Sequence, residues 1–232
     1  MDVEGIAQSV TAIRVRIAQA CERSGRASSS VTLVAVTKSV PLLRIQAVVR
    51  AGVRDLGENY VQEALTKVGD PELRDATVHW HFIGHLQRNK VREIVGRFAL
   101  IHSVDSLALA TEIGRRSSHL GTTADLLLEV KLDPIATKFG IAPEETLATA
   151  QAVQDIPGVR LCGLMGMAPY GSDPEVTRPA FRTLRTLFDH LPPEAHQILS
   201  MGMSSDFEVA IEEGATLVRI GTALFGKRPP PD

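Results

Sequence analysis

Residues 31–38 read VTLVAVTK: a run of β-branched and apolar side chains that ends on a lysine. A strand exposed on one face would alternate polar with apolar positions. This one is β-branched or apolar throughout until Thr37, as a strand covered on both faces should be, which is the signature of a parallel sheet packed between layers. Moving outward, the same unit recurs: a short apolar run, a loop, a segment of helical periodicity, a loop. Candidate strands lie near 31–37, 53–56, 78–83, 99–102, 124–130, 159–164, 196–200 and 216–220. Eight strands alternating with helices favour a closed α/β barrel over an open doubly wound sheet.

The helix signals agree with that spacing. Ile6, Val10, Ile13 and Ile17 recur at helical intervals and Gly25 follows as a stop, so an extra amphipathic helix over about 3–24 precedes the first strand. Pro41 sits at one helix start with Gly52 after its end, and Asp173-Pro174 opens another. Ser205-Asp206-Phe207-Glu208 reads as a capping box, with Gly214 as its stop. No linker or composition shift divides the chain, so the expectation is one (β/α)8 TIM-type barrel domain over residues 1–232.

Bulk properties narrow the function classes. With 44% hydrophobic and 22% charged residues, the chain lies in the ordinary globular range, away from disordered, collagenous or disulfide-rich proteins. A net charge of −2 argues against a nucleic-acid reader. Cys21 and Cys162 form no CxxC motif, the N-terminus lacks the pattern of an export signal, and no apolar run could cross a bilayer. A monomeric cytoplasmic protein without nucleic-acid or membrane partners is the expectation.

In β/α barrels the working residues sit at the C-terminal strand ends and in the loops that follow. The first strand delivers Lys38 there. An ammonium at the end of a buried strand must pair, lose its proton, react, or snorkel to solvent; as a neutral amine it would attack carbonyls. The seventh strand runs into Gly202, Ser204 and Ser205, small residues whose backbone N–H groups suit an anion, and the eighth ends in Gly221 and Thr222. Taken singly these are turn residues; on the last two strands together they form a candidate phosphate cup. Arg219, within an otherwise apolar strand, needs an acceptor, and Glu129 is the structural alternative to a ligand. A carbonyl-reactive lysine facing a phosphate site fits either a Schiff-base enzyme acting on a sugar phosphate or a carrier of pyridoxal 5'-phosphate (PLP).

Five blocks in order carry a resemblance: LVAVTKSVP (33–41), LGENYVQEA (56–64), WHFIGHLQRNK (80–90), GLMGMAP (163–169) and LSMGMSSDFEVAIEEGATLVRIGTALFG (199–226). Over nearly its whole length the sequence resembles the PLP homeostasis proteins, single-barrel relatives of the alanine racemase N-terminal domain. The resemblance implies that Lys38 holds PLP as a Schiff base, that Ser204, Gly221 and Thr222 are phosphate ligands, and that Arg219 is the partner of the pyridine nitrogen. It also implies that Asn59 lines the ring face; the alternative for Asn59 is an N-cap of the following helix. Vitamin B6 homeostasis, with supply of PLP to apo PLP-dependent enzymes, is the function implied, and no catalytic residue is assigned.

Two other readings fit parts of the sequence. A weak amino-acid racemase would need a second acid or base, for which Tyr60 and Tyr170 are the tyrosines available, and the racemases' large β domain does not follow the barrel. A metal hydrolase is prompted by His79-Trp80-His81, but Arg219 stands where that kind of site wants a carboxylate, and no metal is expected. Family members often carry proline at the position of His85, so that histidine inherits no role.

Overall fold

The structure, a computed structural model, describes residues 3–75, 77–133, 139–169 and 173–227. Eight strands, β1 (Thr32–Val36), β2 (Asp55–Glu58), β3 (His79–Phe82), β4 (Leu100–Val104), β5 (Ala124–Val130), β6 (Val159–Gly166), β7 (Ile198–Ser200) and β8 (Leu217–Ile220), pair in chain order. Every pairing is parallel, and β1 pairs β8 with Val34 opposite Arg219, which closes the barrel. The expected (β/α)8 architecture is the one observed, and each strand overlaps the run that the sequence assigns to it.

Among the described residues ten helices surround or flank the barrel: α1 (Val3–Arg23), α2 (Leu42–Arg50), α3 (Val61–Val68), α4 (Pro71–Asp75), α5 (Val91–Ile94), α6 (Leu107–His119), α7 (Thr146–Gln154), α8 (Arg178–Asp189), α9 (Phe207–Glu212) and α10 (Thr222–Phe225). The extra helix α1 buries Ile6, Val10, Ile13 and Ile17, the stripe that its periodicity marks. Arg16 and Arg23 tie its outer face to Glu208 and Glu212 of α9.

Apolar side chains divide into two layers because successive strand residues point to opposite faces. The larger core lies between sheet and helices; the smaller, within the barrel, gathers Val34, Leu100, Leu127, Cys162, Met165 and Leu217. Polar residues share the buried strand positions: His81, His102, Glu129, Ser200 and Arg219. Polar groups there must find partners inside the protein, since water cannot supply them.

Two local expectations are corrected. The residue that caps α9 is Asp206, not Ser205: Ser205 is exposed, and Asp206 turns its carboxylate back to accept from the Met203 N–H at 2.6 Å. The carboxylate therefore braces the loop before the helix, and the expected capping box does not form. Asn59 is not the N-cap of α3 either; that position is Tyr60.

Candidate functional site

Lys38 projects from the turn that follows β1, and three neighbouring side chains fix that turn. Glu58, the last residue of β2, accepts from the Thr37 hydroxyl. Glu63, in the first turn of α3, accepts from the Ser39 N–H at 2.6 Å, holding Ser39 at φ 55°, a left-handed conformation that a residue with a Cβ adopts only under constraint. Lys67, one helical turn further along α3, donates to the Thr37 carbonyl at 2.6 Å, Glu58 at 2.7 Å and Glu63 at 2.6 Å. All three ammonium protons thus have acceptors, as burial of a lysine requires. Burial pushes the Glu58 carboxyl up from its ordinary value, against the pull of Lys67 and Thr37.

Across the mouth, the loop after β7 and the start of α10 meet at Ser204. Its Oγ accepts from the backbone N–H groups of Gly221 (3.3 Å) and Ala223 (3.2 Å), so two main-chain donors from the end of β8 converge on one oxygen position. Gly202 makes the close approach possible: its φ is +92°, and a Cβ there would lie 2.6 Å from the Ala210 Cβ and 2.9 Å from the Phe207 Cα.

Arg219 rises from β8 beneath this loop, 5% exposed. Nη1 donates to the Ser200 carbonyl (2.9 Å) and the Ser200 Oγ (2.6 Å), and Nη2 to the Gly166 carbonyl (3.0 Å). Its hydrogen bonds therefore go to Ser200 and Gly166, and Glu129 acts on it through the field alone. Burial lowers the guanidinium to about 10, with Glu129 and Asp206 opposing, so it stays a cation at neutral pH. Glu129 is pushed up to about 7, by burial first and then by Asp105, while Arg219 pulls it back.

A cavity of about 500 Å³ joins these parts: Lys38, Ser204, Arg219, Gly221 and Thr222 all line it, with Val36, Met203, Ser205 and Ala223. Five of the six residues singled out from sequence are therefore brought together. The sixth, Asn59, lines a separate depression with Tyr60, His85, Gln87 and Lys90, and its Oδ1 is buried without a hydrogen-bond partner. His85 stacks on Phe139 at 3.7 Å between ring centroids and lies 3.4 Å from the Asp105 carboxylate. Of the two tyrosines weighed as acid–base groups, Tyr60 is about half exposed in that depression, whereas Tyr170 lies outside the described residues.

His79 and His81 do not stand as an isolated pair. Both contact the Asp55 carboxylate, at 3.3 and 3.1 Å, and the other nitrogen of His81 meets His102 at 3.0 Å. Among the described residues no group of three or more His, Cys, Asp or Glu side chains is arranged to hold a metal ion. Ser200, His102 and Lys67 are the site's neighbours that the sequence did not reveal. Glu63 and Lys67 are spaced i, i+4 and could have been read as a helix-face pair, but nothing local signals that the lysine turns inward.

A β/α barrel with a lysine and two converging backbone donors at its C-terminal mouth defines a class, and comparison with known proteins gives it a family. Residues 9–229 match the family described as alanine racemase, N-terminal domain. The pyridoxal phosphate homeostasis protein of Aquifex aeolicus is 46% identical over 216 residues, 92% of this chain and 94% of that one. Its counterpart in Pseudomonas aeruginosa is 42% identical over 96% of both chains. The structure of PipY from Synechococcus elongatus with PLP bound superposes with a TM-score of 0.82 at 39% identity, covering 95% of this chain and all of that one. The alanine racemase of Corynebacterium glutamicum shares the fold, with a TM-score of 0.72 at 16% identity, and this chain spans 62% of its length. The chain belongs to the alanine racemase N-terminal domain family and, within it, to the pyridoxal phosphate homeostasis proteins.

Proposed function

We propose that this protein holds PLP as a Schiff base on Lys38 and acts in vitamin B6 homeostasis, keeping a reactive aldehyde bound and passing it to apo PLP-dependent enzymes. It works in the cytoplasm, as a monomer folded into one barrel domain. The observation that carries the reading is the shared cavity, in which an amine, a pair of converging backbone donors and a buried guanidinium line one space. The relatives named for PLP homeostasis, and PipY solved with PLP, support the same assignment.

When bound, the cofactor supplies a carbonyl that amines attack and a ring that withdraws electrons. The residues of this chain divide the work of holding it. Lys38 offers the attaching amine, and the clamp of Glu58, Glu63 and Lys67 fixes the turn that presents it. Ser204, Gly221 and Thr222 offer phosphate ligands, and the N–H groups now directed at Ser204 Oγ are the donors such an anion would take. Arg219 is offered to the pyridine nitrogen; a permanent donor there keeps that nitrogen unprotonated and weakens the ring as an electron sink. That favours storage over carbanion chemistry, so no dedicated catalytic activity is assigned. Asn59, with its unpartnered Oδ1, is the residue offered to the ring face.

Titration of the apo-protein with PLP, followed by gel filtration, tests the reading. Wild type should retain one equivalent through the column. Lys38→Arg, which keeps the charge but cannot form the bond, should lose it, and excess inorganic phosphate should compete with binding to both. Equal retention by wild type and variant would refute attachment through Lys38.

A further inference from the structure

A line of hydrogen bonds crosses the barrel from Arg219, at the cavity, to Asp55, the first residue of β2 at the opposite end of the barrel. Arg219 Nη1 lies 2.6 Å from Ser200 Oγ, which lies 3.0 Å from His102 Nδ1; His102 Nε2 lies 3.0 Å from His81 Nδ1, and His81 Nε2 lies 3.1 Å from Asp55 Oδ1. The links come from β8, β7, β4, β3 and β2, and the two imidazoles meet edge-on with ring centroids 5.2 Å apart.

The chemistry of the two ends dictates the direction of every link. A guanidinium only donates, so Ser200 Oγ accepts from Arg219 and has its own proton left to give. That proton goes to His102 Nδ1, which leaves His102 its proton on Nε2. Nε2–H then donates to His81 Nδ1, and His81 Nε2–H donates to the Asp55 carboxylate, which only accepts. With both imidazoles neutral, one assignment of protons satisfies all four contacts and none satisfies them in reverse. Full burial holds His102 well below its ordinary value, and His81 and then Arg219 act in the same direction. A charged His102 would direct a second donor at Ser200 Oγ and strand the hydroxyl proton.

Such a chain is costly filler. Apolar side chains occupy comparable interior positions at Val34, Leu100 and Leu127, and each polar group in their place is tolerable only while its partners persist. We propose that Ser200, His102, His81 and Asp55 form a one-directional relay that holds the Arg219 guanidinium in register beneath the cavity, making His81 and His102 positioning residues for the cofactor-facing cation. The role assigned to that cation rests on the PLP reading; the relay itself is a property of the apo-protein. Glu129 and Asp206 surround Arg219, and His79 shares Asp55 with His81, so these are the charges among which the relay is set.

Three measurements separate the claims. Long-range ¹H–¹⁵N correlation spectra of apo-protein labelled at histidine should show His81 and His102 as Nε2–H tautomers. In Ser200→Ala, His102 should lose its single tautomer. Exchange-protected guanidinium resonances of Arg219 should be present in apo wild type, lost in His102→Leu, and regained in His102→Asn, whose Oδ1 can accept from Ser200 in place of Nδ1. PLP titrations should follow the same order, weakened by about tenfold in His102→Leu, the weight of one hydrogen bond to a charged group, and restored in His102→Asn. An Nδ1–H tautomer at His102, or unchanged Arg219 protection in a folded His102→Leu protein, overturns the relay. If the tautomers and Arg219 protection behave as stated but wild type binds no PLP, the relay stands and the cofactor reading fails.

Discussion

Lys67→Met is the substitution whose consequence the structure defines most sharply. The ammonium is 7% exposed and donates to three oxygens, and the Glu58 side chain beneath it is fully buried with one carboxylate oxygen unpartnered. Removing one member of a buried pair leaves the other charge uncompensated, at a cost of about 3–5 kcal/mol. Glu58 has an escape, because it can take up a proton. In the variant its carboxyl faces burial without the opposing lysine, so its folded value climbs further above the ordinary 4.5, in the direction it already leans. Between 4.5 and that raised value the folded chain binds a proton that the unfolded chain has lost, so stability falls as pH rises, by up to about 1.4 kcal/mol per pH unit. The penalty should therefore be larger at pH 8 than near pH 5. Urea unfolding of the apo-protein, followed through the single tryptophan, buried Trp80, measures it at both pH values. The double variant Glu58→Gln, Lys67→Met should recover much of the loss and abolish the pH slope that Lys67→Met adds to that of wild type. A penalty under about 1 kcal/mol, or one of equal size at both pH values, would refute a buried clamp at Lys67.

Other outcomes follow from the same geometry. Gly202→Ala forces a side chain into a left-handed conformation against Ala210 and Phe207, and should cost about 1–3 kcal/mol while weakening inorganic phosphate binding; calorimetry that finds both unchanged would show that the loop is not the anion cup. Glu129, pushed up to about 7, makes wild type lose stability as pH climbs from 4.5 towards 7, by about 3 kcal/mol in all, so Glu129→Gln should melt progressively higher relative to wild type across that window. Parallel melting curves from pH 5 to 8 would contradict that assignment.

How much could be read from the sequence depends on whether the signal is local. The strands were legible because each is a short, nearly uninterrupted apolar run between turn residues, and α1 because its stripe at Ile6, Val10, Ile13 and Ile17 repeats at helical spacing. Lys38, Ser204, Arg219, Gly221 and Thr222 were legible because a closed barrel brings its first and last strands side by side, so residues 166 to 184 positions away along the chain from Lys38 share one cavity. The relay was not legible. Ser200 and His102 are ordinary residues in strand runs, and their partnership depends on which face each occupies, which shifts by one residue at the irregularity between Ile101 and Val104. The Ser205 cap failed for a similar reason: adjacent Ser205 and Asp206 are both good capping residues, and the choice was made by the Met203 N–H needing an acceptor.

The central claim, attachment through Lys38, is tested most directly by borohydride reduction of the PLP-loaded protein followed by peptide mass mapping. The account predicts one pyridoxyl adduct per chain, on Lys38, absent from Lys38→Ala, with loss of the near-visible absorbance band on reduction. An adduct on another lysine, or none on a protein that retains PLP, would contradict it.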